Sequence, residues 1–196
     1  IENNGNGQFY NIYSISTTTS GRTYTAQENA IEQGGGNWQS ALFQGRDFGS
    51  HAANSHTLLF RGAEVKTYKK NSGNVCSAKV FYVVYPQGQR PSSPSFTEHN
   101  IAWFDNCDLS IYKFPDIPGD GPCNEIGYQK WQSWASGGTG HLTENSLLDL
   151  TQKLEGKYTL ELYYQIYGSH TDPNGCSEIV YINNGGNNYK ANFTVC

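Results

Sequence analysis

The chain has 196 residues, with 17 acidic and 13 basic side chains, a formal net charge of −4 and 14% aromatic residues. The basic residues form no stripe that could neutralise a run of phosphates, so we exclude nucleic acid as a partner. No run of about 18 apolar residues occurs, so we expect no membrane insertion. The low charge, the 22 glycines and the 14 tyrosines favour a protein of many short strands.

Strand patterns separated by turn residues run along the whole chain. The clearest, in order, are QFYNIYSIST (8–17), HTLLFRG (56–62), AEVKTYKK (63–70), SAKVFYVVYP (77–86), FTEHNIAWF (96–104) and GKYTLELYYQIYG (156–168). Only TAQENAIEQ (25–33) is an early candidate for a helical turn. The sequence predicts an all-β fold, an antiparallel two-sheet β-sandwich of jelly-roll or immunoglobulin-like type with few or no helices, although a barrel is also compatible. We expect one domain over residues 1–196, in which residues 1–39 are an N-terminal strand plus a loop extension.

The stretch GKYTLELYYQIYG (156–168) alternates as a β-strand does. The predicted core face carries Tyr158, Leu160, Leu162, Tyr164 and Ile166. The opposite face carries Tyr163 and Tyr167 among polar residues. We predict these two tyrosines as ligand-binding residues on a polar-aromatic sheet face; the alternative is cross-strand pairing of amphipathic tyrosines that face solvent.

Three further aromatic residues are candidates for ligand contacts. Trp38 follows three glycines, and Tyr128 and Trp134 belong to GYQKWQSW (127–134). Aromatic rings stack on the apolar C–H faces of sugars, while polar side chains bind the hydroxyls. We therefore predict that Trp38, Tyr128 and Trp134 bind glycan, and the alternative is that they are buried in the core.

The five cysteines, at positions 76, 107, 123, 176 and 196, lack the paired spacings of a zinc site and favour disulfides. The segment NNGGNN (183–188) is typical of a hairpin turn, which would place Cys176 opposite Cys196, so we predict that pair. Cys107 and Cys123 flank a proline- and glycine-rich loop that closure would order, so we predict a second pair there. Cys76 is left over.

Four aspartates crowd one loop and offer oxygen ligands for calcium: Asp105, Asp108, Asp116 and Asp120. Their spacing is not the regular pattern of a calcium loop, so a solvated acidic loop is favoured and we expect no cofactor. The histidines show no metal-ligand spacing, and no G-x-S-x-G motif occurs. The sequence therefore predicts neither a metal site nor a catalytic residue.

Five segments together resemble a known module. They are FQGRDFGS (43–50), VFYVVYP (80–86), YQKWQSW (128–134), LLDLTQKLEGKYTLELYY (147–164) and NNGGNNYKANFTV (183–195). Over residues 40–195 the chain resembles a β-sandwich module of secreted and cell-surface proteins of flavobacteria and related Bacteroidetes that are exported by type IX secretion. The resemblance implies a β-sandwich and an extracellular or cell-surface location in a multidomain protein, of which this chain is expected to be a piece. It implies no catalytic residue.

These observations favour a non-catalytic extracellular binding or adhesion module that recognises glycan. The alternative is a structural subunit of an extracellular filament or surface assembly, in which neighbouring copies pack against the outward tyrosines. A polysaccharide-active enzyme ranks third, because nothing in the sequence places two catalytic groups together.

Overall fold

The computed structural model describes residues 2–3, 8–19, 21–33, 37–39, 43–53, 58–60, 64–68, 73–101, 103–106, 128–132, 148–169 and 172–196. Within these ranges the regular structure is β-strand, apart from two single 3₁₀ turns at Leu150–Gln152 and Asn184–Gly186. The strands are β1 (Glu2–Asn3), β2 (Gln8–Thr19), β3 (Gly21–Gln33), β4 (Asn37–Gln39), β5 (Asp47–His51), β6 (Leu58–Phe60), β7 (Glu64–Tyr68), β8 (Asn74–Pro86), β9 (Thr97–Ile101), β10 (Trp103–Asn106), β11 (Tyr128–Gln132), β12 (Leu148–Asp149), β13 (Gly156–Ser169), β14 (Glu178–Ile182) and β15 (Tyr189–Val195). The all-β prediction is confirmed.

The strands form two sheets. The first has nine strands in the order β10-β11-β7-β2-β1-β6-β12, with β3 paired to β2 and β4. The second has six strands in the order β5-β15-β13-β8-β9, with β14 also paired to β13. Most described strand pairs are antiparallel, as predicted, but β15 with β5 and β2 with β7 are parallel, and at these two pairs the antiparallel prediction is wrong. These partners are far apart in the chain, and only a short hairpin connection forces neighbours to be antiparallel.

Strand β13 is the centre of the six-stranded sheet. It pairs with β8 from Tyr158 to Ser169 on one edge, and with β15 and β14 on the other. The predicted core face is confirmed, because Leu160, Leu162, Tyr164 and Ile166 are buried. Tyr158 is half-buried and stacks on Phe193 with ring centroids 5.5 Å apart. The period of two along a strand is thus sufficient to assign both faces of β13.

Residues from both sheets contribute to one hydrophobic core. Leu58, Phe60 and Trp131 of the first sheet belong to the same buried cluster as Val80 and Leu160 of the second. The ring of Phe60 meets that of Tyr82 edge to face, with centroids 4.8 Å apart. Burying one such side chain stabilises the fold by about 1.5–3 kcal/mol, so this shared cluster couples the two sheets energetically.

The predicted hairpin around NNGGNN is wrong. Strands β14 and β15 do not reverse about this segment; both run antiparallel to β13 along the same edge, β14 beside residues 164–168 and β15 beside residues 156–162. The Asn/Gly segment is an excursion within one partner strand. Asn184 and Gly185 both have positive φ, so the turn residues bend the chain outward and return it in its original direction.

The predicted Cys176–Cys196 pair is wrong for the same reason. Because β14 and β15 follow each other along β13, Cys176 and Cys196 lie near opposite ends of that strand, roughly 40 Å apart at about 3.3 Å per residue. Cys176 is instead bonded to Cys76, with Cα atoms 6.2 Å apart, and Cys196 is a free, exposed thiol. Cys76 therefore has its partner within the chain.

The described residues between 2 and 39 form four strand segments, β1 to β4, and TAQENAIEQ lies in β3. Backbone pairing with β2 on one side and β4 on the other outweighs a weak local helical tendency. That residues 1–196 form a single domain stays a prediction. The described part of the chain contains no helix with the length and apolar content needed to span a membrane.

Candidate binding face

The side of the six-stranded sheet that faces away from the core carries a group of aromatic residues. Tyr163 and Tyr167 of β13 lie there with Gln165 between them, as the alternation predicts. The strand register places Phe81 beside Tyr163, Tyr181 beside Gln165, and Ile179 beside Tyr167. We call this group the aromatic face: Phe81, Tyr163, Gln165, Tyr167, Ile179 and Tyr181.

Tyr163 is the central support of the aromatic face. Its ring stacks on Phe81 at a centroid distance of 4.8 Å with the planes 1° apart. Phe96 and Tyr181 meet the same ring edge to face, at 5.0 and 6.1 Å. Burial, followed by the charges of Tyr181 and Glu98, raises the pKa of Tyr163. Three ring contacts and a desolvated hydroxyl make Tyr163 a packing residue that holds its neighbours in place.

Three large side chains of the aromatic face are exposed. Tyr181 is 51% exposed, Ile179 48% and Tyr167 36%. Tyr167 is predicted from the sequence, whereas Tyr181 is not. The signal for Tyr181 is the alternation in EIVYI, where Ile182 is buried and Ile179 and Tyr181 lie on the other side. The exposed platform therefore spans two strands, with Tyr167 on β13 and Tyr181 on β14.

An ion pair borders the aromatic face on the β8 side. The ammonium group of Lys79 contacts the carboxylate of Glu98 on the neighbouring strand β9. Lys79 also lies beside Gln165 in the strand register. Because the two charges offset each other, the platform presents tyrosine rings and an amide to a ligand, with little net charge beside them.

A buried carboxylate lies next to the aromatic face. Glu161 points to the same side of β13 as Tyr163, yet it is 0% exposed. Arg90 donates from Nε to Oε2 at 2.8 Å and from Nη2 to Oε1 at 2.9 Å. Tyr85 donates its hydroxyl to Oε2 at 2.7 Å, and Asn188 donates from Nδ2 to Oε1 at 2.7 Å. Four donors from three parts of the chain therefore satisfy this carboxylate.

The network keeps Glu161 ionised. Burial alone would raise the pKa of Glu161, but the hydrogen bonds from Arg90, Tyr85 and Asn188 and the charge of Arg90 prevail and lower it to about 2. The same network raises the pKa of Tyr85, through burial first and then through its hydrogen bond to Glu161. The carboxylate is thus ionised near neutral pH, and both of its oxygens accept hydrogen bonds from neighbouring side chains.

The remaining predicted site residues are described only in part. Trp38 lies in β4, where its backbone pairs with Glu32, and Tyr128 lies in β11, where its backbone pairs with Tyr68. The side chains of Trp38 and Tyr128 and the whole of Trp134 lie outside the described residues. The structure thus brings together Tyr163 and Tyr167 of the five predicted ligand-binding residues.

The second predicted disulfide and the acidic loop fall largely outside the described chain. Cys107, Cys123, Asp108, Asp116 and Asp120 lie in ranges that the structure does not describe. The backbone of Asp105 pairs with Lys130 in β11. In the described ranges, no group of three or more His, Cys, Asp or Glu residues is arranged to hold a metal ion.

Comparison with known proteins found no matching family model, no matching curated protein and no matching solved structure. The properties of the aromatic face are therefore the basis for assigning a function.

Proposed function

We propose that the chain is a non-catalytic binding module that recognises glycan through the aromatic face. The observation that carries this proposal is the pair of exposed tyrosines, Tyr167 and Tyr181, which are diagonal neighbours on adjacent strands, with Gln165 directly opposite Tyr181 and two residues before Tyr167. Tyrosine rings can stack on the apolar faces of sugars, while the amide of Gln165 can bind a hydroxyl. Diagonal neighbours on a sheet lie about 7–8 Å apart, so a chain of two or more sugar rings can contact both tyrosines.

Rigidity supports the same proposal. The ring of Tyr181 rests edge-on against Tyr163, which is itself stacked on Phe81. A ring that is already held in place loses less conformational freedom when a ligand binds, so more of the contact energy appears as affinity.

We propose that the two sheets pack as a β-sandwich and that the protein is extracellular or on the cell surface, as its resemblance to the type IX secreted modules implies. The shared core and the Cys76–Cys176 disulfide support this, because structural disulfides persist in oxidising compartments.

The proposal is tested by applying the protein to an array of immobilised neutral oligosaccharides. Tyr181→Ala and Tyr167→Ala are each expected to weaken binding by about tenfold or more, equivalent to about 1.4 kcal/mol. Leu154→Ala is the matched control, because Leu154 is 86% exposed and lies outside the aromatic face. Binding that is absent in the wild type, or unchanged in both tyrosine variants, would refute the proposal.

A structural subunit of an extracellular assembly is the second candidate, and Ile179 favours it. This aliphatic side chain is 48% exposed beside Tyr181, and an exposed apolar group of this kind is suited to a protein partner. Sedimentation and electron microscopy over a wide concentration range test the idea. Ordered assemblies that Ile179→Ser abolishes would support it, and monomers throughout would exclude it.

A further inference from the structure

Residues 87–96, which connect β8 to β9, form a segment that crosses the side of the sheet that carries the aromatic face; we call it the strap. Strand β8 continues to Pro86, whereas β9 begins at Thr97 opposite Tyr82, so the chain must return along the last residues of β8. The strap returns across the outward side of β13, where Arg90 bonds to Glu161 and Phe96 contacts Tyr163.

The strap is held at three points. At its start, the backbone amide of Gln87 donates to the carbonyl of Lys157 at 2.9 Å. At its end, Phe96 packs edge-on against Tyr163. Between these points, Arg90 makes a bidentate ion pair with the buried carboxylate of Glu161. The fork of a guanidinium matches the two oxygens of a carboxylate, so this contact fixes direction as well as distance.

The same carboxylate also holds the neighbouring turn. Asn188, at the end of the excursion between β14 and β15, donates to Glu161 Oε1, and Asn188 has φ of +56°. Tyr181 lies on β14, just before this excursion. Glu161 is therefore bonded to segments that border the aromatic face, the strap that carries Phe96 and the turn that follows Tyr181.

We propose that Glu161 and Arg90 are positioning residues for the aromatic face, a proposal that rests on the glycan-binding function. Their ion pair clasps the strap to the sheet, the strap holds Phe96 against Tyr163, and Tyr163 supports the ring of Tyr181. A buried carboxylate cannot remain unpaired without a large cost, so the sheet and the strap hold each other in place. Loss of the clasp releases the strap and loosens the platform.

The test compares Arg90→Ala with Tyr85→Phe. Both remove donors from Glu161, but Tyr85 lies on β8 and leaves the link to the strap intact. The readouts are hydrogen exchange of the backbone amides of Gln87 and Gln89, which donate to carbonyl groups, the nuclear Overhauser contact between the rings of Phe96 and Tyr163, and binding to the oligosaccharide array. Arg90→Ala is expected to speed exchange by about tenfold or more, remove the ring contact and weaken binding, because hydrogen bonds to charged groups are the strong ones. Tyr85→Phe is expected to leave all three readouts near the wild type.

Glu161→Gln keeps the test decisive if Arg90→Ala does not fold. It retains the side-chain shape without leaving a buried charge unpaired, and it is expected to release the strap in the same way. If a folded Arg90→Ala or Glu161→Gln variant shows unchanged exchange and an intact ring contact, the Arg90–Glu161 ion pair does not hold the strap on the sheet and the proposal is wrong. A released strap with unchanged array binding would overturn the positioning role and leave the glycan-binding function standing. If the wild type binds no oligosaccharide, the proposed function and the positioning role both fail.

Discussion

Cys76 and Cys176 are bonded across 100 residues of chain, with Cα atoms 6.2 Å apart. Cys76 occupies the bulge in β8 where the register with β13 shifts, between the pairs Tyr167 with Ser77 and Gly168 with Val75. The disulfide thus joins the start of β8 to the segment before β14 across the end of β13. It therefore links β8, on one edge of β13, to the segment that leads into β14 on the other edge.

We expect peptide mapping without reduction to find Cys76 linked to Cys176 and Cys196 as a free thiol. The double variant Cys76→Ser/Cys176→Ser should lower the free energy of unfolding by about 2–4 kcal/mol, because the bond restricts the unfolded chain. Urea denaturation measures the change, and Cys196→Ser is the control with no expected loss. A Cys176–Cys196 peptide in the map would contradict the structure.

The acid stability of the protein should depend on Glu161. Its pKa falls from 4.5 to about 2 on folding, so its contribution to stability is present above pH 4.5 and is lost as the pH falls towards 2. We expect the wild type to be more stable than Glu161→Gln at pH 6 and the difference to shrink as the pH falls from about 5 to about 2. The urea midpoints of both proteins across this pH range measure the stability difference between them. A difference that does not vary with pH would contradict the prediction.

A half-buried histidine should make the protein less stable in mild acid. His99 of β9 lies opposite the buried Val80, and its Nε2 is buried without a hydrogen-bond partner in the part of the chain that the structure describes. Burial lowers the pKa of His99, so as the pH falls below about 6.5 the unfolded chain takes up a proton that the folded protein does not. The free energy of unfolding should therefore decrease from pH 7 to 5. His99→Leu should reduce this dependence of the free energy of unfolding on pH, measured by urea denaturation at each pH. An unchanged dependence would mean that other titrating groups cause it.

The close approach of β8 and β13 should make Gly168 intolerant of a side chain. A Cβ atom at Gly168 would overlap the backbone oxygen of Asn74 beside the bulge. We expect Gly168→Ala to lower the free energy of unfolding by about 1–3 kcal/mol, because the backbone of β8 must shift. Gly185→Ala is the comparison, since Gly185 has φ of +65° and open space around it, so its cost arises from the backbone conformation alone. Thermal unfolding of both variants measures the two effects. If Gly168→Ala does not lower the stability, the backbone of β8 can move aside without cost, which would contradict the prediction.

Local pattern predicted much of the fold and part of the candidate site. The run from Gly156 to Gly168 is one strand, as predicted, and its core face is as predicted, but Thr159 and Glu161 on the opposite face are also buried. Tyr181 was missed, because a five-residue strand between turns gives a weak alternation signal. Glu161 was placed on the outward face, but its burial could not be predicted, since the strap that covers it comes from 71 residues earlier in the chain.

Which residues share a face of β13 follows from the amino-acid sequence alone, because successive Cβ atoms of any strand point to opposite sides. Which strand edges meet depends on how distant segments of the chain pack. The Asn/Gly segment could either reverse the chain in a hairpin or bend it outward and let it continue. The chain continues, because β14 and β15 both pair with the same edge of β13. As a result, Cys176 lies far from Cys196 and is bonded to Cys76. The same path of the chain places Asn188 beside Glu161. Such contacts depend on the packing of distant segments, which no local pattern of residues contains.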